Sequence, residues 1–343
     1  MLPQKYPHAI TPREIVFHLT NKCPLRCSHC CTGSGMDRDG THLSATQIAG
    51  VINDLQRFPQ ISRVSFAGGE PFLHPEILAR GVRNASENHY DTTVVTSGFW
   101  ASRSGAAVTA LAPLAAAGLK KLNLSFDDAH SRFVSQQNIV NVCRAAREFD
   151  ILVALKIAVD NRSEIDKPYM EKLLDANQVP LEMVRIDEYA TVSTGRGKGD
   201  MARPKVPQTY LGPCRSALRQ FSVYYDGTIV PCCGAIPLPE KLATGNIGDP
   251  MDRAIHQAFA SQITKWLAFE GPVEILKQIT ADTDAPLGDT DFDGICHACD
   301  MLQKNTEYWT LLNTCLPEKT RSLEAQEMVY TKVGNYLPPQ PVN

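Results

Sequence analysis

Residues 15–31 read Ile-Val-Phe-His-Leu-Thr-Asn-Lys-Cys-Pro-Leu-Arg-Cys-Ser-His-Cys-Cys. The apolar start, Ile15 to Leu19, predicts a strand. It runs directly into Cys23, Cys27 and Cys30, spaced by three and then two residues. A strand that ends in a tight cysteine loop can aim three thiolates at one point. Thiolates are the usual ligands of iron–sulfur clusters, and four of them complete a cubane. Three leave one iron without a protein ligand, and an open metal position is where chemistry takes place. A zinc knot, or a group of buried structural cysteines, is the other reading of the same residues.

The chain has 343 residues, enough for one large domain or two. Its composition is that of an ordinary globular protein, and a formal charge of −3 gives no reason to expect nucleic acid as a partner. No apolar run is long enough to suggest a membrane span. Residues 1–8 lack the apolar core of a signal peptide, so a cytoplasmic location is expected. Eleven cysteines is a high count for a reducing compartment and points to metal or redox roles. They are grouped at 23–31, 214–233 and 296–299, with Cys143 and Cys315 apart.

Downstream of residue 13, strands alternate with helical patterns. Strands are expected at 14–19, 62–67, 92–96, 121–126, 151–159 and 182–188. Helices are expected at 44–58, 75–89, 103–117, 135–149 and 163–176. Ser44 with Gln47 has capping-box spacing, and Pro113 should break or restart its helix. Six βα units favour an α/β fold with a parallel sheet and right-handed crossovers, its strands continuously apolar as in Ile151 to Leu155. Six units rather than eight suggest an open, partial (β/α)6 barrel whose reactive end lies at the strand C-termini. Beyond residue 190, a Gly-, Lys- and Arg-rich stretch reads as a linker. Phe221–Val230 reads as a hairpin with a type I′ turn at Asp226-Gly227. Residues 250–280 look helical, 281–294 a loop, 300–315 a closing helix, and the tail from 334 extended.

Gly68-Gly69-Glu70-Pro71 closes the second expected strand. Glycines there allow a close backbone approach, and the carboxylate can accept from an ammonium group. CxxxCxxC after the first strand and GGEP after the second resemble the radical S-adenosylmethionine (SAM) superfamily. The resemblance implies that Cys23, Cys27 and Cys30 hold a [4Fe–4S] cluster whose free iron is chelated by SAM. It implies that Gly68, Gly69 and Glu70 orient the SAM amino group. By the same resemblance Ser97, Ser125, Lys156, Arg196 and His29 lie near SAM: Ser97 and Ser125 at the ends of the third and fourth strands, Lys156 facing the SAM carboxylate, Arg196 in a GR motif, and His29 near adenine. Capping or surface roles are the alternatives at these positions, and helix capping is the alternative to acid–base work at Asp127.

Cys214, Gly227, Cys232, Cys296 and Cys299 resemble the C-terminal extension called SPASM, in its shorter Twitch form. This implies one auxiliary [4Fe–4S] cluster on Cys214, Cys232, Cys296 and Cys299, with zinc as the chemical alternative. The expected organisation is a lead-in over 1–12, the barrel over 13–190, a linker over 191–207, an α+β extension over 208–315 and a tail over 316–343. Cys31 and Cys233 each adjoin a ligand cysteine. A thiol that reaches the cavity could return a hydrogen atom to a substrate radical, and Cys233 is favoured over Cys31.

The expected activity is reductive cleavage of SAM to a 5′-deoxyadenosyl radical, followed by hydrogen abstraction. The expected substrate is a ribosomally made peptide, epimerised or cross-linked at a side chain. Oxidation of a small-molecule natural-product intermediate is the second reading, and a non-catalytic iron–sulfur or zinc scaffold the third. A flavodoxin or ferredoxin is expected as electron donor. Residues 1–12 are too short for a leader-binding domain, so peptide recognition would fall to a separate protein or to the barrel.

Overall fold

The computed structural model describes residues 10–198 and 210–334, with side chains up to Val329. Six strands alternate with helices along the first half: β1 (Glu14–His18), α1 (Ala45–Leu55), β2 (Arg63–Ala67), α2 (Pro75–Glu87), β3 (Asp91–Thr96), α3 (Ser104–Ala116), β4 (Lys121–Ser125), the short α4 (Asp128–Ser131), α5 (Gln136–Glu148), β5 (Leu152–Val159), α6 (Lys167–Ala176) and β6 (Val184–Ala190). All six strands pair in parallel with their neighbours, as right-handed βαβ crossovers require. The Ser44–Gln47 capping box starts α1 as its spacing predicts. Pro113 does not break α3, which runs on to Ala116. The proline sits in the last turn, where little helix remains to be disrupted.

The second half adds β7 (Gln220–Val223), β8 (Thr228–Val230), the two-residue β9 (Gly245–Asn246), α7 (Met251–Ala260), α8 (Gln262–Phe269), α9 (Pro272–Thr280), α10 (Ile295–Lys304) and α11 (Thr306–Gly334). The expected helical stretch 250–280 is three helices, broken at Ser261 and at Gly271, whose φ is +91°. The closing helix expected at 300–315 is two helices, and residues 316–334 of the expected tail are helical. The hairpin turn also differs. Gly227 is left-handed (φ +92°), but Asp226 is not, so the turn is not type I′. Gly227 N donates to Tyr224 O at 2.8 Å, closing a turn centred on Tyr225 and Asp226.

β7 lies parallel to β1 and continues the same sheet, in the order β6-β5-β4-β3-β2-β1-β7-β8-β9. One hydrophobic core runs from Ile10 to Leu323 and includes residues of both halves. Register and the two-residue period of strands divide the sheet into two faces. Ile15, Phe17, Val64, Phe66, Val94, Leu122, Leu124, Val153 and Leu155 share the apolar face with the helices. The other face carries Glu14, His18, Ser65, Asn123, Ser125, Lys156, Arg185 and Asp187. The expectation of strands apolar on both faces therefore holds for one face only.

Gly81 on α2 is part of the tight seam between helix and sheet. A Cβ there would stand 2.7 Å from the ring of Phe66, which stacks on Phe17. Gly81→Ala should therefore destabilise the protein: overpacking costs about 1–3 kcal/mol, against at most about 1 kcal/mol returned by helix propensity. Urea denaturation with an unchanged m-value would measure the loss.

Candidate active site

The cysteine loop is held by a ladder that outlasts the strands. Leu19 N donates to Ala67 O (2.9 Å), Gly69 N to Thr20 O (2.7 Å) and Glu70 N to Lys22 O (2.9 Å). This close approach requires the glycine pair. Gly68 has φ +126°, and a Cβ on Gly69 would overlap the Lys22 backbone. Glu70 is 1% exposed, and its carboxylate already has four donors. Oε1 accepts from Phe72 N and Thr96 Oγ1, and Oε2 accepts from Ser97 N and Ser97 Oγ. Burial pushes its carboxyl up, and those donors offset only part of the rise, so it stays raised. Glu70 and Ser97 thus satisfy each other and tie the end of β2 to the end of β3. The sequence reading turns the Glu70 carboxylate towards an ammonium group of SAM; in the structure it is occupied internally.

Cys23, Cys27 and Cys30 lie on one loop, within electrostatic reach of each other. Burial drives the Cys23 thiol up to about 12 and raises Cys27 further. Cys30 N donates to Cys27 O, and the loop is braced from across the sheet by Arg196. Arg196 N donates to Cys30 O (3.0 Å), Nε to Cys27 O (3.0 Å) and Nη1 to Ser34 O (2.6 Å). Gly195, at φ +57°, lies so close that a Cβ would overlap the carbonyls of Cys30 and Cys31. Arg196 therefore grips the cysteine loop from behind while its positive charge faces Cys23 and Cys27. In the same segment Ser193 donates to Asp293, and Lys198 pairs with Asp300 on α10. The rest of the expected linker, residues 199–207, lies outside the described residues.

Asp127 follows β4 and is completely buried. Its Oδ1 caps α4, accepting from Ala129 N and His130 N, and takes His130 Nδ1 at 2.9 Å. Its Oδ2 takes His29 Nε2, also at 2.9 Å. Burial opposes ionisation, yet the two histidines hold the Asp127 carboxyl well below the usual range. For His29, burial pulls downward, but the Asp127 bond and charge leave the imidazole raised. The three side chains offer ligand atoms within 4.8 Å of one another, and His29 Nε2 and His130 Nδ1 are already bonded to the carboxylate. Asp127 is thus a cap and a histidine anchor, with little capacity left for acid–base work. Ser125 and Lys156 are register partners on the polar face. Lys156 Nζ is ion-paired to Asp187 at 2.7 Å, which engages the amine expected to meet a carboxylate of SAM. Tyr189 keeps 44% exposure, within reach of Asp127 and Cys31.

A second thiol group forms where β7, β8 and α10 meet. Cys214 precedes β7, Cys232 follows β8, and Cys296 and Cys299 occupy the first turn of α10. Their thiols lie within each other's electrostatic reach, with Cys233 among them. Burial pushes Cys214 up to about 11 and Cys299 to about 12. Gly234 N donates to Cys232 Sγ, Gln303 Nε2 to Cys299 Sγ, and Ser222 Oγ to Cys232 O. A hydrogen bond from Cys232 draws the Cys233 thiol down. Cys31 has both Cys30 and Cys233 as electrostatic neighbours, so it stands between the two groups. Cys143 is buried in α5 and Cys315 packs from α11 against the core. All eleven cysteines are free thiols. Enclosed soft donors in a three and a four, with N–H groups aimed at sulfur, fit iron–sulfur ligation. The sequence reading overlooks His18, which it counts as one position of an apolar strand, and the anchoring of His29 by Asp127; neither has a local sequence signal.

Asp127 and His29 give a signed pH dependence. The depressed carboxyl stabilises the fold above its unfolded value, near 3.9, and that contribution fades as pH falls. The raised imidazole stabilises below its unfolded value, near 6.5, and that contribution is lost as pH rises through the folded value. Asp127→Asn should therefore cost most between about pH 4 and 6.5, by about 3 kcal/mol. Urea denaturation of both proteins across that range would measure it.

Comparison with known proteins agrees with this geometry. A model described as the Radical SAM superfamily matches residues 17–165. The YydG protein of Bacillus subtilis (strain 168), whose name assigns it to peptide biosynthesis, is 22% identical over 306 residues, covering 86% of this chain and 93% of that protein. The PqqA peptide cyclase of Rhodopseudomonas palustris is 28% identical over 189 residues, 52% of this chain and about half (48%) of the cyclase. Among solved structures, anSMEcpe with bound AdoMet superposes with a TM-score of 0.53 at 11% identity, over 90% of this chain and 98% of that one. Streptococcus suis SuiB bound to precursor peptide SuiA gives 0.51 at 16% identity, over 66% and 61%. At such identities these two show likeness of fold alone. The family implies SAM and a [4Fe–4S] cluster, and the matched stretch contains the three-cysteine loop, the glycine pair that holds it and the Asp127 anchor. Residues 17–165 thus match the radical SAM superfamily, and that match together with the peptide-biosynthesis and peptide-cyclase relatives identifies the chain as an enzyme.

Proposed function

We propose that the enzyme modifies a ribosomally made peptide, and that it inverts a Cα centre. The fold is read as a partial barrel over 13–190 with a Twitch-type extension over 208–315. Cys23, Cys27 and Cys30 would hold the catalytic cluster, and Cys214, Cys232, Cys296 and Cys299 an auxiliary [4Fe–4S] cluster. When bound with SAM, the first cluster supplies an electron and a 5′-deoxyadenosyl radical that takes a hydrogen atom from substrate. Everything else falls to the protein. The Gly68-Gly69 backbone, fixed by the internally satisfied Glu70, lines the place where the SAM methionine group would sit. His29, held by Asp127, presents its ring beside the third cysteine. Arg196 keeps the loop in shape and balances thiolate charge.

The observation that carries the reading is the pair of spare thiols: Cys31, with Cys30 and Cys233 as electrostatic neighbours, and Cys233 within the second group. Inversion needs a hydrogen atom delivered to the face opposite abstraction, and a thiol is a good donor. Cys233 is favoured because it lies within the second group yet is not needed to complete four ligands. Similarity to proteins named for peptide biosynthesis and peptide cyclisation supports a peptide over a small molecule.

Anaerobic reconstitution should give about eight irons per chain and SAM-dependent 5′-deoxyadenosine. With a precursor peptide from the gene's neighbourhood in deuterated water, one Cα should acquire deuterium. Cys233→Ala should keep its iron and its deoxyadenosine but lose the deuterium. Product free of solvent deuterium would rule out inversion and favour cross-linking or dehydrogenation. Bound zinc without deoxyadenosine would sink the cluster assignment.

A further inference from the structure

His18 is the last residue of β1 on the polar face of the sheet, level with Ala67 of β2. It is 5% exposed, and its Nε2 has no hydrogen-bond partner among the described residues. The ring stacks on Tyr224, with centroids 4.5 Å apart and planes 10° from parallel. Tyr224 OH is in turn fixed on Ile236 O at 3.2 Å. The Nε2 edge is pressed against Gly234, where a Cβ would overlap the nitrogen; Gly234 has φ +77°. Two residues before Gly234 stands Cys232, whose sulfur accepts from Gly234 N at 3.4 Å and whose carbonyl accepts from Ser222. The turn Cys232-Cys233-Gly234 therefore lies across the nitrogen edge of a buried imidazole.

An enclosed polar nitrogen left without a partner costs about 1–3 kcal/mol. Leucine or phenylalanine would fill a strand position in a packed protein without that cost. A neutral imidazole carries one N–H and one lone pair. What lies along this edge is the backbone of Gly234, whose N–H is bonded to the Cys232 sulfur. Hydrogen bonds to cluster sulfurs, and to the chain that carries them, set reduction potentials.

We propose that His18 is a positioning residue for the auxiliary centre: its Nε2, left without a partner among the described residues, would donate to a sulfur of the cluster carried by the Cys232–Gly234 turn and so raise that cluster's reduction potential. This inference rests on the assignment of Cys214, Cys232, Cys296 and Cys299 as ligands. It adds a link between the first strand of the barrel, five residues before Cys23, and the second thiol group.

The test compares His18→Leu, which has no donor, with His18→Gln, whose amide reaches a similar distance, in the reconstituted full-length protein. The readouts are iron content and the midpoint potential and EPR signal of each cluster. His18→Leu should shift the potential and spectrum of the auxiliary cluster alone, towards more negative values. His18→Gln should recover most of the shift, and the SAM-binding cluster should keep its values in both. Loss of auxiliary iron in His18→Leu with retention in His18→Gln would support the same role. Unchanged potentials in both variants, or equal loss of iron in both, would overturn it, since packing alone would then explain His18. Wild-type protein that loads only about four irons would remove the auxiliary cluster itself and the inference with it.

Discussion

Three backbone hydrogen bonds, from Leu19, Gly69 and Glu70, carry the β1–β2 pairing past the ends of the strands and into the cysteine loop. They decide where Cys23 begins to turn. They exist because Gly68 and Gly69 have no side chains to hold the two backbones apart, and because Glu70 is clamped by four donors. A buried carboxylate is expensive unless its oxygens are satisfied. Here the satisfaction comes from Thr96 and Ser97 at the end of the neighbouring strand. The same bonds that make Glu70 tolerable bring the ends of β2 and β3 together beside the cysteine loop.

The loop is equally constrained from its other side. Arg196 donates three hydrogen bonds to the carbonyl oxygens of Cys27, Cys30 and Ser34, and Gly195 lets it approach. The segment that carries Arg196 also reaches α10 through Ser193 and Lys198. The two thiol groups therefore share a mechanical support, although some two hundred residues separate them. The addition of β7 to the free edge of β1 provides a second support, since with β8 it brings Cys232 and Gly234 to the polar face of the sheet. The sheet and the core are continuous across what the cysteine pattern divides into two parts.

Charge follows the same economy. Asp127 is buried with two histidines and two helix N–H groups as partners, so its negative charge is compensated at short range. Lys156 and Asp187 neutralise each other on the wall of the polar face. Cys23, Cys214 and Cys299, by contrast, are driven towards their neutral forms by burial.

The strands, most helices, the capping box at Ser44 and the grouping of the cysteines were all legible in the chain, because each depends on residues near in sequence. Local patterns were weaker where a neighbour decided the outcome. Pro113 did not end its helix, Asp226 did not adopt the left-handed turn, and the helix expected to close at 315 ran on to Gly334. Residue type alone determined that three soft ligands follow the first strand, that a glycine pair follows the second and that four more thiols follow later. Only the tertiary structure decided which groups were free to act. Glu70, Lys156, Arg196 and Asp127 carry the charges that sequence assigns to ligand contact or catalysis, and folding commits each of them to a partner distant in the chain. His18 shows the reverse: an unremarkable strand residue by pattern, it becomes a buried imidazole with an unpartnered Nε2 against the Cys232–Gly234 turn because β7 packs alongside β1. A one-dimensional pattern records which chemistry is present, and the pairing of distant strands settles which of it is left unspent.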